Sequence, residues 1–505
     1  MTVFGLWGLA RGSAMGNDEV VSRWAALLSL RQLVHLVTHV DAVHGLYYLL
    51  LHGWMVVGTS PTAIRVPSVA AMVVAAALMV VVGRRLSGSA WVGLFAGLIM
   101  ALTPSISYYA QTARSYALVF ACVLAATLVL LNALAAETQG ASQAQVRRRW
   151  VAYGVLVLLG GYLNELSLLV LVAHAITVLL SRYGRRVFLH WLITGAVAAI
   201  LVSPLIAISI KQDSAVSWIA RPDLRDVWIL YHDYFGATLW APVLLAVCAA
   251  VALLPPREAG GKRPSGGPAT SAGAGGTKAE AAWWRSGGVS VASVAAPLLF
   301  VPAAVLMIES LIGPPLYVDR YVLYGEAGAA LLAAAGICRI GQWLGQASHR
   351  PGIVWAPGAV VCVCALLLQL TPQHAIRTPG SRLYNFGGPA FYLAAHAQPG
   401  DGVLFFSDFY RKAELGYPAQ FRDTRDIAEA ISPAVKNPYQ GIDKPFSAIR
   451  PIMLSEQRIW VLGRQPAAGL STGPMGQESA VLLRDFTQTF AHPYKGMWLT
   501  LWVRR

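Results

Sequence analysis

Apolar runs of roughly 17–25 residues recur along most of the chain with short polar stretches between them, and about 20 apolar residues are what one helix needs to cross the hydrocarbon core of a bilayer. The runs fall near 65–83, 90–104, 115–135, 150–164, 167–181, 187–209, 237–255, 288–311, 321–338 and 353–371, which predicts ten spans. The stretch from Trp150 to Ser181 is long enough for one helix, but arginines flank both ends, so the chain must turn back midway. Asn164-Glu165 is the only polar place for that turn. The segment AVHGLYYLLLHGWMVV (42–57) is apolar, yet as a helix it would extend only about 24 Å. Counting it as a span would invert every later loop. It is read as an interfacial or re-entrant helix with Tyr47, Tyr48 and Trp54 at headgroup depth. MTVFGLWGLA at the N-terminus is too short to span, and reads as the last turns, Phe4 to Leu9, of a first transmembrane helix that begins upstream. Beyond residue 372 the pattern shortens to β-rich runs at 400–407, 458–464 and 497–505, with a helix at 389–397. The pattern predicts an all-α polytopic membrane protein of about 10–11 transmembrane helices (1–371) followed by a small C-terminal α/β domain (372–505).

Composition agrees: 56% of the 505 residues are hydrophobic and 12% charged, where a soluble domain carries roughly 25% charged residues. An ordinary soluble enzyme is excluded. The net charge of +15 would suggest nucleic acid in a soluble protein. Here the cations form short clusters between apolar runs, at Arg84-Arg85, Arg147-Arg148-Arg149, Arg182 with Arg185-Arg186, and Lys262-Arg263. That is the distribution of cytoplasmic loops, so the charge reports topology and attraction to anionic lipid, and no nucleic-acid partner is expected. Alternation then puts the first loop (about 11–60), the 105–113, 210–236 and 312–320 loops, Glu165 and the C-terminal domain outside the cell membrane. The Gly/Pro/Ala/Ser-rich linker (about 256–286) falls inside and is read as a disordered cytoplasmic insert. Cys122, Cys248, Cys338, Cys362 and Cys364 lie within or at the ends of apolar runs, so neither a structural disulfide nor a zinc site is expected.

Ionisable groups at a membrane face are costly and mark candidate sites. Asp18 and Glu19 open an amphipathic helix in the first loop, where a carboxylate could take a proton from a hydroxyl or simply serve an acidic first turn. His35, His39, Asp41 and His44 follow within ten residues; a divalent metal at His39, Asp41 and His44 stays open, although the spacing matches no established motif. The 105–120 stretch carries Tyr108, Tyr109, Gln111, Arg114 and Tyr116, and the 313–328 stretch carries Tyr317, Asp319, Arg320 and Tyr321. Arg114 and Arg320 are cations on the side where positive charge is disfavoured, and a guanidinium fork suits a phosphate at headgroup level. Snorkelling is the alternative.

Together these segments resemble the GT-C superfamily of integral-membrane glycosyltransferases, within it the family 39-like group related to protein O-mannosyltransferases and lipid A aminoarabinose transferases. Asp18-Glu19 matches the acidic pair of the first external loop, VHGLYYLLLHGW (43–54) the His/Tyr-Tyr element, IRVPSVAA (64–71) the Arg-Leu-Pro-Ser helix, YYAQTARSYA (108–117) the tyrosine-arginine loop, and Arg320-Tyr321 the pair opening a late helix. Gly45 stands where the family usually has proline, and Thr112 where it has glutamate. The resemblance implies a donor made of a sugar, mannose or similar, on a polyprenyl phosphate, in keeping with the absence of a dinucleotide-binding glycine pattern. It implies an extracytoplasmic acceptor hydroxyl on protein, glycan or lipid, with inversion at the anomeric carbon. Asp18 and Glu19 would be catalytic, and Arg114, Arg320 and His44 would hold the donor phosphate. Asp41, Tyr109, Gln111, Glu165, Tyr317 and Tyr321 would line the substrate site. No cofactor is required by it, and a divalent metal stays open. Two rival classes are a polytopic transporter or flippase, which would more often show internal repeats and mid-membrane polar residues, and a catalytically silent membrane subunit.

Overall fold

The computed structural model describes residues 1–10, 14–212, 216–254, 288–432, 441–464 and 473–505; the 256–286 linker lies outside the described residues. Over its described residues each expected apolar run is mostly helical. The chain opens with α1 (Thr2–Leu6), α2 (Asn17–Leu27), α3 (Leu30–His39) and α4 (Gly45–Trp54), followed by the bundle: α5 (Pro61–Ser87), α6 (Ala90–Leu102), α7 (Pro104–Ala110), α8 (Tyr116–Thr138), α9 (Gln143–Leu163), α10 (Val170–Ser181), α11 (Arg185–Ile210), α12 (Leu224–Phe235), α13 (Trp240–Leu253), α14 (Val291–Ile312), α15 (Glu326–Ala347) and α16 (Ala356–Ala375). Among the described residues six helices are long and apolar enough to cross a membrane, or up to eight if each of two bent pairs is one span, and the chain is a multi-pass membrane protein.

The bends have local causes. Thr103 is extended because Pro104 follows it, so α6 and α7 meet at 69°. Gly236, at a φ of 124° that side chains avoid, sets α12 and α13 at 79°. α9 and α10 fall outside that number because α9 carries the triple arginine near its start and α10 is short. They turn back where expected: Asn164 is extended and its side chain accepts from Leu166 N at 3.0 Å, capping a 3₁₀ turn at Glu165–Leu169.

Two expectations need correction. Tyr47 and Tyr48 are not outward-facing anchors; both are buried inside the protein, and α4 is a ten-residue helix. The N-terminal helix covers Thr2–Leu6 only, with Trp7 extended, rather than running from Phe4 to Leu9.

α15 is the axis of the bundle. In the apolar stretch of Asp319–Ala347, which contains α15, 89% of residues are buried, against 17% for α11, which faces outward. A methyl at Gly328, Gly336 or Gly341 would strike the backbone of Ala295 in α14, Cys248 in α13 and Val354 before α16 respectively, so three neighbours approach α15 at bare backbone.

The C-terminal part builds a five-stranded sheet in the order β2-β1-β5-β7-β6, with β1 (Asp401–Phe405), β2 (Thr424–Asp426), β5 (Arg458–Gly463), β6 (Phe486–Tyr494) and β7 (Met497–Arg504); β3 (Glu429–Ile431) and β4 (Ile442–Asp443) pair separately. β1 is parallel to β2 and β5, while β7 is antiparallel to β5 and β6. The period-2 alternation of the strands divides the apolar residues between two cores. Val403, Phe405, Trp460, Leu462 and Leu499 join the main core shared with the bundle. Leu404, Phe406, Ile459, Val461 and Trp502 face a second core with Ile449 and Met453 of the helix Phe446–Ser455.

Candidate active site

The helix α2 starts at Gly16, which has no side chain to cap it. Glu19 reaches back instead, accepting from Gly16 N at 3.0 Å. Its carboxylate also takes a bidentate pair from Arg65 of α5 at 2.7 and 2.8 Å and the Ala113 N–H at 3.0 Å, with Arg382 Nε 3.8 Å away. Burial alone would raise this carboxyl, but Arg65 and Arg382 outweigh it and hold it down at about 2. Glu19 is fully engaged.

Asp18 differs although it is the adjacent residue. Its side chain keeps 30% of its exposure. Arg114 Nη2 lies 3.7 Å from Oδ1 and Arg320 Nη2 lies 4.0 Å from Oδ2, so both guanidiniums face it from beyond hydrogen-bond distance. Asn17 donates to Oδ1 at 3.2 Å and is itself held by Lys412 Nζ at 2.7 Å. Burial would raise the Asp18 carboxyl; Arg114, then Arg320, His44 and Lys412, hold it down at about 2. Asp18 is therefore a carboxylate at neutral pH.

Arg114 is buried in the turn before α8 and does not snorkel. Nη1 donates to Tyr48 Oη at 2.8 Å and lies 3.8 Å from Asp41 Oδ2, while Nε is buried with no partner. Asp41 adopts φ 64°, a left-handed conformation that aspartate tolerates, and accepts from the Tyr48 hydroxyl. His44 Nε2 stands 3.8 Å from Asp41 Oδ1; its Nδ1 is buried and unpartnered. Burial, then Arg114, lowers the imidazole to about 4, so it is neutral at pH 7. Arg320 donates from Nε to Tyr116 Oη at 3.0 Å and lies over the rings of Trp218 and Tyr321 at 5.4 and 5.6 Å. Tyr109 packs edge-on against Tyr116 at 5.5 Å.

Asp18, Asp41, His44, Arg114, Arg320, Tyr109 and Tyr321 thus lie in one chain of contacts. The others are placed differently. Gln111 grips the N-terminal segment, its amide nitrogen donating to the carbonyls of Gly5 and Trp7 at 2.9 and 2.8 Å. Glu165 sits in the 3₁₀ turn between α9 and α10 with one carboxylate oxygen buried and unpartnered. Tyr317 is buried with its hydroxyl unpartnered. His39 turns to its own helix, Nδ1 lying 2.8 Å from His35 O, and among the described residues no group of three His, Cys, Asp or Glu side chains is gathered as a metal ion would need. Thr112, the departure from glutamate, accepts from Arg382 Nη1 at 2.7 Å.

Sequence reasoning missed Arg65, Tyr48, Lys412 and Arg382 as parts of the site. Arg65 stands inside a quoted motif without a role, and Tyr48 is read from the sequence only as a headgroup-depth aromatic. Lys412 and Arg382 come from beyond the last span and carry no local signal.

No protein-family model matches the chain, and neither does any curated protein sequence. Among solved structures, ArnT from Cupriavidus metallidurans, determined both bound to undecaprenyl phosphate and in the apo state, overlays at TM-score 0.56 with 11% identity, covering 99% of this chain and 96% of that one. The chain has a GT-C fold. Arabinofuranosyltransferase AftD from Mycobacteria overlays at TM-score 0.48 with 13% identity, over 99% of this chain and 39% of AftD. In this GT-C fold the contact chain around Asp18 joins helices α2 and α4, the turn before α8 and the 3₁₀ segment Asp319–Gly325 that precedes α15.

Proposed function

We propose that the chain is a membrane glycosyltransferase that moves a sugar from a polyprenyl-phosphate donor to an acceptor hydroxyl on glycan, lipid or protein. The observation that carries this reading is Asp18 itself: a half-buried carboxylate faced by two guanidiniums that stop short of hydrogen-bonding it. Asp18 takes the proton of the acceptor hydroxyl, whose oxygen bonds to the anomeric carbon as the bond from that carbon to the donor phosphate oxygen breaks. The sugar inverts and polyprenyl phosphate leaves. Arg114 and Arg320 stabilise the leaving phosphate, Arg114 with its unpartnered Nε, and neutral His44 assists by hydrogen bonding rather than charge. Tyr109 and Tyr321 wall the donor. Glu19 is structural in this reading, because all its acceptor positions are spoken for. Gln111 is likewise an anchor for the N-terminal segment. A polyprenyl-phosphate donor is supported by the likeness of fold to ArnT, which was determined with undecaprenyl phosphate bound; a mannosyl-type sugar follows only from the sequence resemblance.

The site and the C-terminal part are read as extracytoplasmic from the arginine clusters. A reporter fused after Thr371 is expected to read outside, and one inserted within 256–286 inside; the same side for both overturns this sidedness. For the reaction, membranes are supplied with labelled polyprenyl-phosphate sugars. Asp18→Asn is expected to abolish transfer while donor binding and expression persist. Wild-type turnover by that variant would remove Asp18 as the base.

A further inference from the structure

A cavity of about 730 Å³ lies in the C-terminal part, within the ~300–1,000 Å³ range of small-molecule sites. Aromatic side chains dominate its walls, Tyr384, Phe409, Tyr494 and Trp498 among them, and Ser407 and Arg464 supply polar groups. Its position follows from the sheet. β1 and β5 are parallel neighbours, and the chain leaves β1 toward β2 on one side before returning to β5 on the other. That is a topological switch point, where open α/β sheets leave a crevice beyond the carboxyl ends of the strands. Phe406 and Ser407 follow the end of β1, and Arg464 follows the end of β5. Ser407 holds a left-handed φ of 88°, which turns the chain sharply out of the strand and brings Phe409 into the wall.

A relay of side-chain contacts runs from the cavity wall to Asp18. Lys412 Nζ lies 4.3 Å from the centre of the Phe409 ring, donates to Asn17 at 2.7 Å, and Asn17 donates to Asp18 at 3.2 Å. We propose that this aromatic cavity is a carbohydrate subsite that holds an inner ring of a glycan acceptor while the terminal hydroxyl reaches Asp18. The proposal rests on the transferase reading and narrows its acceptor to a glycan. The chemistry recognises sugars for a physical reason. A sugar ring presents a flat C–H face that packs on the negative face of an aromatic ring. Its rim of hydroxyls needs donors and acceptors of the kind Arg464, Ser407 and the tyrosine hydroxyls provide. A lipid tail would have no use for that polar rim, and an extended peptide would not need four aromatic rings around one cavity.

The test uses the full-length protein in lipid nanodiscs and saturation-transfer-difference NMR. The probes are a hexose, a pentose and an N-acetylhexosamine tetrasaccharide, with a Ser/Thr-rich peptide alongside. At least one tetrasaccharide is expected to receive saturation on its ring C–H protons. Trp498→Ala and Arg464→Ala are each expected to weaken that binding at least tenfold without lowering the thermal midpoint, and Trp498→Phe to retain it. If Trp498→Ala unfolds, Arg464→Ala decides. Saturation of the peptide alone, of no probe, or of a tetrasaccharide equally in wild type and Arg464→Ala overturns the proposal. Asp18→Asn should bind the sugar as wild type does, so activity surviving in that variant would overturn Asp18 as the base while the carbohydrate subsite itself still stood.

Discussion

Asp18 and Glu19 are neighbours on one helical turn, roughly 100° apart around the axis, and they occupy opposite electrostatic environments. Glu19 faces inward to Arg65, Arg382 and two backbone N–H groups, where its acceptor positions are filled and its exposure is 1%. Asp18 faces Arg114 and Arg320 across gaps of 3.7 and 4.0 Å and keeps contact with solvent. Both carboxyls are held at about 2, so acidity does not distinguish them. What separates them is whether the cations around each have capacity left. A closed pair fixes the helix; an open one can admit a ligand.

Substitution should split the two regions. The largest effect belongs to Asp18→Asn, expected to cost ~10²–10⁴-fold in transfer in a protein that still folds; a stability loss without a rate loss would reverse the two assignments. Arg65→Ala leaves Glu19 buried without its bidentate partner, and unfolding experiments in detergent should show a loss of about 3–5 kcal/mol. Arg114 and Arg320 come next. If they share one phosphate, their Ala or Lys variants should couple in a double-mutant cycle by roughly 0.5–3 kcal/mol in kcat/KM for the donor, whereas additive losses dissolve the shared site. The smallest effect is pH-dependent. Because the folded Glu19 carboxyl lies below its ordinary value, its contribution is complete above about 4.5 and is lost as pH falls toward about 2. The melting temperature should drop across that window, and Glu19→Gln should flatten this part of the profile.

The unequal legibility of the regions has a physical origin. Spans are long, and their ends carry signals that act within a few residues, such as Asn164, Pro104 and the arginine clusters, so the helical runs could be read directly. β1, β5 and β7 were legible as apolar runs. β6 was not, because only Phe486 is buried along its nine residues, and β2, β3 and β4 are two or three residues long. Asp18, Arg114 and Arg320 stood out because a charge at a membrane face is costly and needs a reason. Which acid was closed could not be read. That depends on Arg65, 46 positions from Glu19, and the bracing of Asp18 depends on Lys412, 395 positions from Asn17. Tertiary packing alone brings such residues together.

The glycine contacts of α15 have a mechanical consequence. Arg320 lies in the 3₁₀ segment Asp319–Gly325, which leads across a break at Val322 into this helix, and the helix is clamped by bare backbone at Gly328, Gly336 and Gly341. Gly336 is ten residues from the start of the helix, about 15 Å along the shaft. A single methyl wedged there would have to push the shaft away from α13, and the guanidinium at its tip would travel with it. The alignment of the cation with Asp18 is therefore set at a distance, deep in the bundle, by the absence of side chains. The mostly exposed α11 has no such constraint along its outward face, while an added carbon at any of these three positions would displace the shaft and the Arg320 guanidinium ahead of it.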